Sequence, residues 1–303
     1  MKSWKWIVGG GLSALVLPLQ LQAQEGVGDV VYVPTPQIVV EEMLRLAKVG
    51  PQDFVIDLGS GDGRMVITAA KKFGARGFGV DLDTVLLKVS NESAQREGVA
   101  DRARFFEQNL FETDLSQATV ITSYLLPEMN LKLRPKILNL KPGTRVVAHD
   151  YHMGEWHPDE NRTLSVPEKT VGSPGVSYIY LWVVPAKIAG RWQSQFKTGA
   201  PTANWEFEFT QRFQMFDGVA KSGNQKITLR VPKLEGDQLS FVFSTKPGAN
   251  STRHEFKGTV KGDVIEGTLK LGEGAEQKQV PWSAKLTQRA DMSKPFLSSA
   301  VTR

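Results

Sequence analysis

Hydrophobic positions follow two different rhythms along the chain, and the change falls near Pro185. In the first stretch, short apolar runs alternate with segments of helical period. After Thr35-Pro36, residues Ile38, Val39, Met43, Leu44 and Ala47 recur at helical spacing, which predicts an amphipathic helix over 36–48 with Thr35 as N-cap and Pro36 at its first position. Phe54 to Leu58 reads as a strand, Gly59 to Gly63 as a turn, and Arg64 to Phe73 as a helix closed by Gly74. Gly77 to Asp81 is a second strand, 83–97 a helix, and Arg104 to Gln108 a third strand. Ala118 to Tyr124 is a fourth strand, 128–139 a helix, Thr144 to His149 a fifth strand, and Tyr178 to Val184 a late strand pairing with a segment near 162–171. Strands and helices alternating on this scale predict a mostly parallel α/β sheet with helices on both faces.

Beyond Pro185 the period is two. Trp205, Phe207 and Phe209 alternate with Glu206 and Glu208; Ile227, Leu229 and Val231 alternate, as do Leu239, Phe241 and Phe243, and later Val280 and Trp282. Gly218, Gly223-Asn224, Gly236-Asp237 and Gly262-Asp263 supply turns. Residues 187–289 are therefore expected to form a small antiparallel barrel or sandwich, with an aromatic-filled core and no chemistry of its own. Gly190-Arg191-Trp192 resembles the G-x-W opening of lipocalin-like barrels. Residues 290–303 read as a polar tail.

Charge and composition refine this division. Residues 25–186 carry 17 Lys and Arg against 21 Asp and Glu, whereas residues 187–303 carry 18 against 11. The second half could meet an anionic partner, but lysine on the solvent face of strands accounts for the same excess. No arginine-rich run or basic-aromatic stripe marks a nucleic-acid binder, and none is expected as a partner. The absence of cysteine excludes disulfides, thiolate zinc sites and a cysteine nucleophile. At the N-terminus, Lys2 and Lys5 precede an apolar run from Trp6 to Leu19, then Gln20 to Gln24. That is the pattern of a secretory signal peptide over 1–23, with cleavage after Ala23 and no membrane span left in the mature chain; an uncleaved anchor is the alternative. The expected location is outside the cytosol.

The segment richest in chemistry is Val55-Ile56-Asp57-Leu58-Gly59-Ser60-Gly61-Asp62-Gly63-Arg64. Glycines permit a sharp strand-to-helix turn and a close approach of main-chain N–H groups to a ligand. A dinucleotide fingerprint would need a third glycine where Arg64 stands. Asp57, two residues before the first glycine, suits a cationic ligand better than a phosphate. Asp81 closes the second strand 24 residues after Asp57, placed to accept from ribose hydroxyls.

Asp57 to Arg64, DLGSGDGR, resembles motif I of class I S-adenosylmethionine (SAM)-dependent methyltransferases. Tyr32-Val33-Pro34-Thr35 and Leu126-Pro127 further resemble segments of small mitochondrial-type protein-lysine methyltransferases and their bacterial relatives, with Tyr32 in place of their usual Phe. The resemblance covers 30–185. It implies a Rossmann-like seven-stranded sheet whose last two strands form an antiparallel hairpin. It implies SAM as cofactor, held by Asp57, Gly59, Ser60, Gly61, Gly63, Asp81 and, through its amide oxygen, Asn109. The implied acceptor is a nucleophile such as a protein lysine amine. An exported SAM-fold binding protein without catalysis is the alternative.

An amine acceptor must lose a proton before it attacks. Candidates to assist it lie where the fourth and fifth strands end: Tyr124, His149 and Asp150, with Glu128 nearby. His149, His152 and His157 cluster with Asp150, Glu155 and Asp159. Such a set also suits zinc or iron, or is a plain loop; no metal site is assigned.

Overall fold

The computed structural model describes residues 32–196, 203–245, 252–272 and 277–290. The expected signal peptide at 1–23 and nearly all of the polar tail lie outside these residues. The first domain runs α1 (Gln37–Leu46), β1 (Phe54–Leu58), α2 (Arg64–Phe73), β2 (Arg76–Asp81), α3 (Thr84–Arg96), β3 (Ala103–Glu107), β4 (Val120–Ser123), α4 (Pro127–Ile137), β5 (Arg145–His149), β6 (Glu160–Val166) and β7 (Gly175–Val183). Its seven strands lie in the order β3-β2-β1-β4-β5-β7-β6, with β7 antiparallel to both β5 and β6. This is the expected α/β sheet with a terminal hairpin. Both faces are covered because inner strands such as β1 are apolar on both sides. Val55 packs with Val39, Met43 and Leu44 of α1, while Ile56 and Leu58 pack with Leu133 and Ile137 of α4. The order reverses between β1 and β4, and a crevice opens at their carboxyl ends.

One local expectation fails. Thr35 does not cap α1: Pro36 is the N-cap, and no side chain supplies a capping bond. Thr35 is buried, and its hydroxyl instead meets His149 Nδ1 at 3.3 Å. Asp83 is a true cap, accepting from the N–H groups of Val85 and Leu86 at the start of α3.

The second domain comprises β8 (Gly190–Phe196), β9 (Ala203–Arg212), β10 (Met215–Ser222), β11 (Gln225–Thr228), β12 (Arg230–Glu235), β13 (Gln238–Thr245), β14 (Thr252–Lys261), β15 (Val264–Leu271) and β16 (Lys278–Arg289). Successive strands pair antiparallel, and β16 returns to β8, giving a nearly closed barrel whose seam lies between β11 and β12. There the predicted alternation breaks. Leu229 is buried, but Val231 is 77% exposed in a left-handed conformation (φ +50°), and the β12 register slips between Arg230 and Lys233. A bulge of this kind turns side chains away from their pleat. The interior is filled by Trp192, Trp205, Phe207, Phe209, Phe241, Phe243, Phe256 and Trp282.

The barrel is seated on the first domain. The β9–β10 turn inserts Phe213 beside Trp156, their rings stacked at 6.1 Å, and Arg134 of α4 lies over the Phe213 face. Gln211 bonds the linker backbone at Ala186 and Ile188, and Gln214 donates to the His157 carbonyl.

Candidate active site

The glycine turn is built from inside. Gly59 and Ser60 donate their N–H groups to the Val80 carbonyl at 3.0 and 2.9 Å, and Gly61 donates to Asp81 Oδ2 at 2.8 Å. These amides are therefore not aimed at a ligand, contrary to what the motif suggests; buried N–H groups need partners, and the end of β2 is nearer. The glycines answer to packing instead. Gly61 (φ +52°) lies under the Tyr32 ring, where a Cβ would stand 2.3 Å from a ring carbon. A Cβ on Gly63 would meet Phe105 and Ser90 at 2.6 Å. Neither Gly61 nor Gly63 lines the crevice, while Gly59 and Ser60 do.

The crevice is a cavity of about 610 Å³ spanning the ends of β2, β1 and β4, walled by Asp57, Ser60, Asp81, Asn109, Ser123 and Tyr124. Asp57 is 6% exposed and accepts from the Thr122 hydroxyl at 2.5 Å. Burial pushes its carboxyl up to about 7; Asp81 and Asp62 add to the rise against the Thr122 bond. The Asp81 carboxylate, less enclosed, also accepts from the Asp83 N–H. The buried hydroxyls of Ser60 and Ser123 have no partner among the described residues. At the far side, Asn109 Oδ1 accepts from the Phe111 N–H at 2.9 Å, so one lone pair of the oxygen expected to face the ligand is engaged locally. Lys132 Nζ lies 4.0 Å from the centre of the Phe111 ring. A buried carboxyl whose neighbours are acids, two unpartnered hydroxyls and an aromatic end fit a ligand with a positive charge, polar hydroxyls and a flat base.

The strap Tyr32–Thr35 forms one wall, and sequence reasoning missed what holds it. Arg64 pairs with Asp62 at 2.6 Å and donates to the Thr35 carbonyl at 2.8 Å. Tyr32 leans on the same pair; burial, then Asp62, raises its hydroxyl to about 12. In the sequence, Arg64 breaks a dinucleotide motif and ends the DLGSGDGR segment, but nothing there ties it to the strap.

Of the three catalytic candidates, only Tyr124 lines the cavity. His149 is fully buried behind it, 4.1 Å between ring centres, with Nε2 at 2.9 Å from the Ser177 hydroxyl. Burial drives its pKa down to about 4, so it is neutral at pH 7. Asp150 is likewise buried and takes the Tyr124 hydroxyl at 3.2 Å and Lys169 Nζ at 2.5 Å. Lys169, 19 residues away in the β6–β7 loop, carried no sequence signal. Glu128 is exposed on α4 and does not line the cavity. The histidine cluster does not converge: His152 accepts from Gly154 N–H in its own turn, and His157 is exposed, its carbonyl held by Gln214.

Comparison with known proteins fits this geometry. Residues 57–160 match the model of the ANTKMT methyltransferase domain. A protein-lysine N-methyltransferase from Saccharolobus islandicus is 46% identical over 136 residues, covering 84% of that protein and 44% of this chain. The chain belongs to the protein-lysine N-methyltransferase family. A lysine N-methyltransferase of Xenopus laevis, named for an ATP synthase subunit, is 30% identical over 165 residues, covering 72% of that protein and 52% of this chain. A Salinibacter ruber structure described as an RNA methyltransferase in complex with S-adenosyl-L-homocysteine is 48% identical, with 96% of it and 52% of this chain covered, at a TM-score of 0.46. Within the family SAM is the methyl donor; in this chain the unpartnered hydroxyls of Ser60 and Ser123 line the same crevice as Asp57 and Asp81.

Proposed function

We propose that this protein transfers a methyl group from SAM to the side-chain amine of a protein lysine. The observation that carries the reading is the order of side chains across the strand ends. Asp81 on β2, Asp57 on β1 and Tyr124 after β4 line one cavity in that sequence, an acid for each of two cofactor groups and then a phenol for the acceptor. When bound, SAM supplies a methyl on a cationic sulfur: the amine lone pair forms the N–C bond while the C–S bond breaks and leaves its electrons on sulfur. The protein's share is alignment and exclusion of water. Asp57 would hold the cofactor's ammonium, and Asp81 its ribose hydroxyls. The strap pinned by Arg64 would wall off solvent, and Tyr124 would receive an N–H of the incoming amine. The Lys2, Lys5 and Trp6–Leu19 pattern supports an exported protein, testable by whether the mature N-terminus is Gln24.

Two measurements test the reading. Titration calorimetry should detect SAM binding to residues 24–303, lost in Asp57→Ala. Labelled SAM incubated with protein extracts should then leave methyl groups on lysine. Binding without any transfer would favour the exported, non-catalytic alternative, and no binding to the folded protein would remove both.

A further inference from the structure

Behind Tyr124 sits a buried ion pair that the cofactor site does not use. The side chains of Lys169 and Asp150 are 5% and 3% exposed. Lys169 Nζ donates to Asp150 Oδ2 at 2.5 Å and to the Val176 carbonyl at 2.6 Å, while the Tyr124 hydroxyl and the Tyr178 N–H donate to the two Asp150 oxygens. The backbone is bent to make this arrangement: Asp150 adopts φ +61°, a region that side-chain-bearing residues seldom occupy. The loop closes over it at Gly172, where a Cβ would lie 3.1 Å from Asp150 Oδ2 and 3.5 Å from the Tyr124 oxygen. A buried pair is a poor stabiliser, since losing water cancels much of its attraction. Its placement against the one phenol in the cavity wall among the β4 and β5 candidates points to a use in the reaction.

We infer that Asp150 and Lys169 are positioning residues for the acceptor: Asp150 accepts the Tyr124 hydroxyl hydrogen bond so that a phenol lone pair faces the cavity, and Lys169 cancels the carboxylate so that the pair adds no net charge where the acceptor amine enters. The inference rests on the protein-lysine reading above. An ammonium has no lone pair with which to attack, and it must first release its proton to water. An unpaired carboxylate behind Tyr124 would hold the ammonium form, whereas a neutral, desolvated site favours the free amine. Tyr124 is not itself the base, because burial and Asp150 push its hydroxyl well above the ordinary tyrosine value. The groups facing Tyr124 are His149 and Tyr151 against its ring and Asp150 and Lys169 at its hydroxyl, with Tyr178 and Tyr180 on the adjoining β7. His149 is neutral, so the pair sets the charge.

The test takes as acceptor a peptide that the enzyme methylates from a lysine-centred synthetic library, with labelled SAM and peptide both at saturation, and follows kcat, which reports the bound amine, from pH 6 to 10. Lys169→Met leaves the carboxylate alone and should move the acid limb up by about one pH unit. Asp150→Asn leaves the cation and should move it down, and the double variant should return it to the wild-type position. S-adenosyl-homocysteine affinity should stay within about twofold in all three, since neither residue lines the cavity. If Lys169→Met does not fold, Asp150→Asn and the double variant still carry the comparison. Limbs that coincide with the wild type, or that shift in the same direction for both single variants, overturn the inference alone. A wild type that binds S-adenosyl-homocysteine but methylates no peptide overturns the lysine reading, and this inference with it.

Discussion

Asp57 lines the crevice at the strand ends with its charge suppressed. Its carboxyl, raised to about 7 by burial, is largely neutral below that pH and largely ionised above it. A cationic ligand binds the ionised form, so binding must expel a proton when the pH is below 7. Affinity for SAM is therefore expected to rise about tenfold per pH unit up to about pH 7 and then level off. Calorimetric titrations between pH 5.5 and 8.5 would read this slope, and Asp57→Asn should bind more weakly with a flat profile over the same range. The partner that keeps Asp57 in place, Thr122, lies 65 residues further along the chain. Asp57 could be picked out from the sequence because it sits next to a glycine turn; Thr122 could not, because only the parallel pairing of β1 with β4 brings the two together.

At the scale of elements, the early helices and strands fall close to their predicted places. β1 and α2 match in both bounds, since each is delimited by local signals: a short run, apolar but for Asp57, that stops at Gly59, then Gly63 and Gly74 at the helix ends. The elements that failed were those decided elsewhere. Thr35 forsakes its cap for His149, 114 residues away, and the β11–β12 seam breaks an alternation that a single strand would have kept. The glycine turn and the strap act as one unit because Tyr32 rests directly on Gly61. Gly61→Ala would set a methyl 2.3 Å from the Tyr32 ring and strain a left-handed backbone position. Cofactor affinity should fall at least tenfold, with a loss of stability of about 1–2 kcal/mol, the usual scale for a side chain forced into left-handed backbone. Calorimetry and urea denaturation of the same variant would separate the two effects. An affinity unchanged by this substitution would mean that the strap does not shape the site.

For the molecule as a whole, the question is what the barrel does. Its aromatic core is complete without the first domain, yet the Phe213 turn reaches out of it to Trp156, and Arg212 pairs with Glu155. Both contacts fall on the 150–159 segment that leaves β5 just past Asp150. The barrel thereby braces the segment that carries the partner of Tyr124. Phe213→Ala should weaken this docking by about 3 kcal/mol, the low end of the range for truncating a packed aromatic, since Phe213 is only half-buried. Differential scanning calorimetry is expected to resolve two transitions in this variant and one in the wild type, and protease should cut the variant near 184–189. A single transition, unshifted, would show that the domains are held by other contacts.

Local chemistry alone determined a good deal here. Periodicity separated an α/β half from an all-β half, and the order of acid, glycines and second acid falls at the crevice where β2, β1 and β4 end, because residues near in sequence build strands, turns and helix ends directly. The tertiary structure decided which polar groups those elements bring face to face. It gave the glycine-turn amides to the end of β2, withdrew His149 and Asp150 from the cavity wall, set Lys169 behind Tyr124, and seated Phe213 on Trp156. Each of these depends on the burial and pairing of residues distant in the chain, where the need to satisfy a buried polar group or fill a packed space outweighs any preference the local sequence expresses.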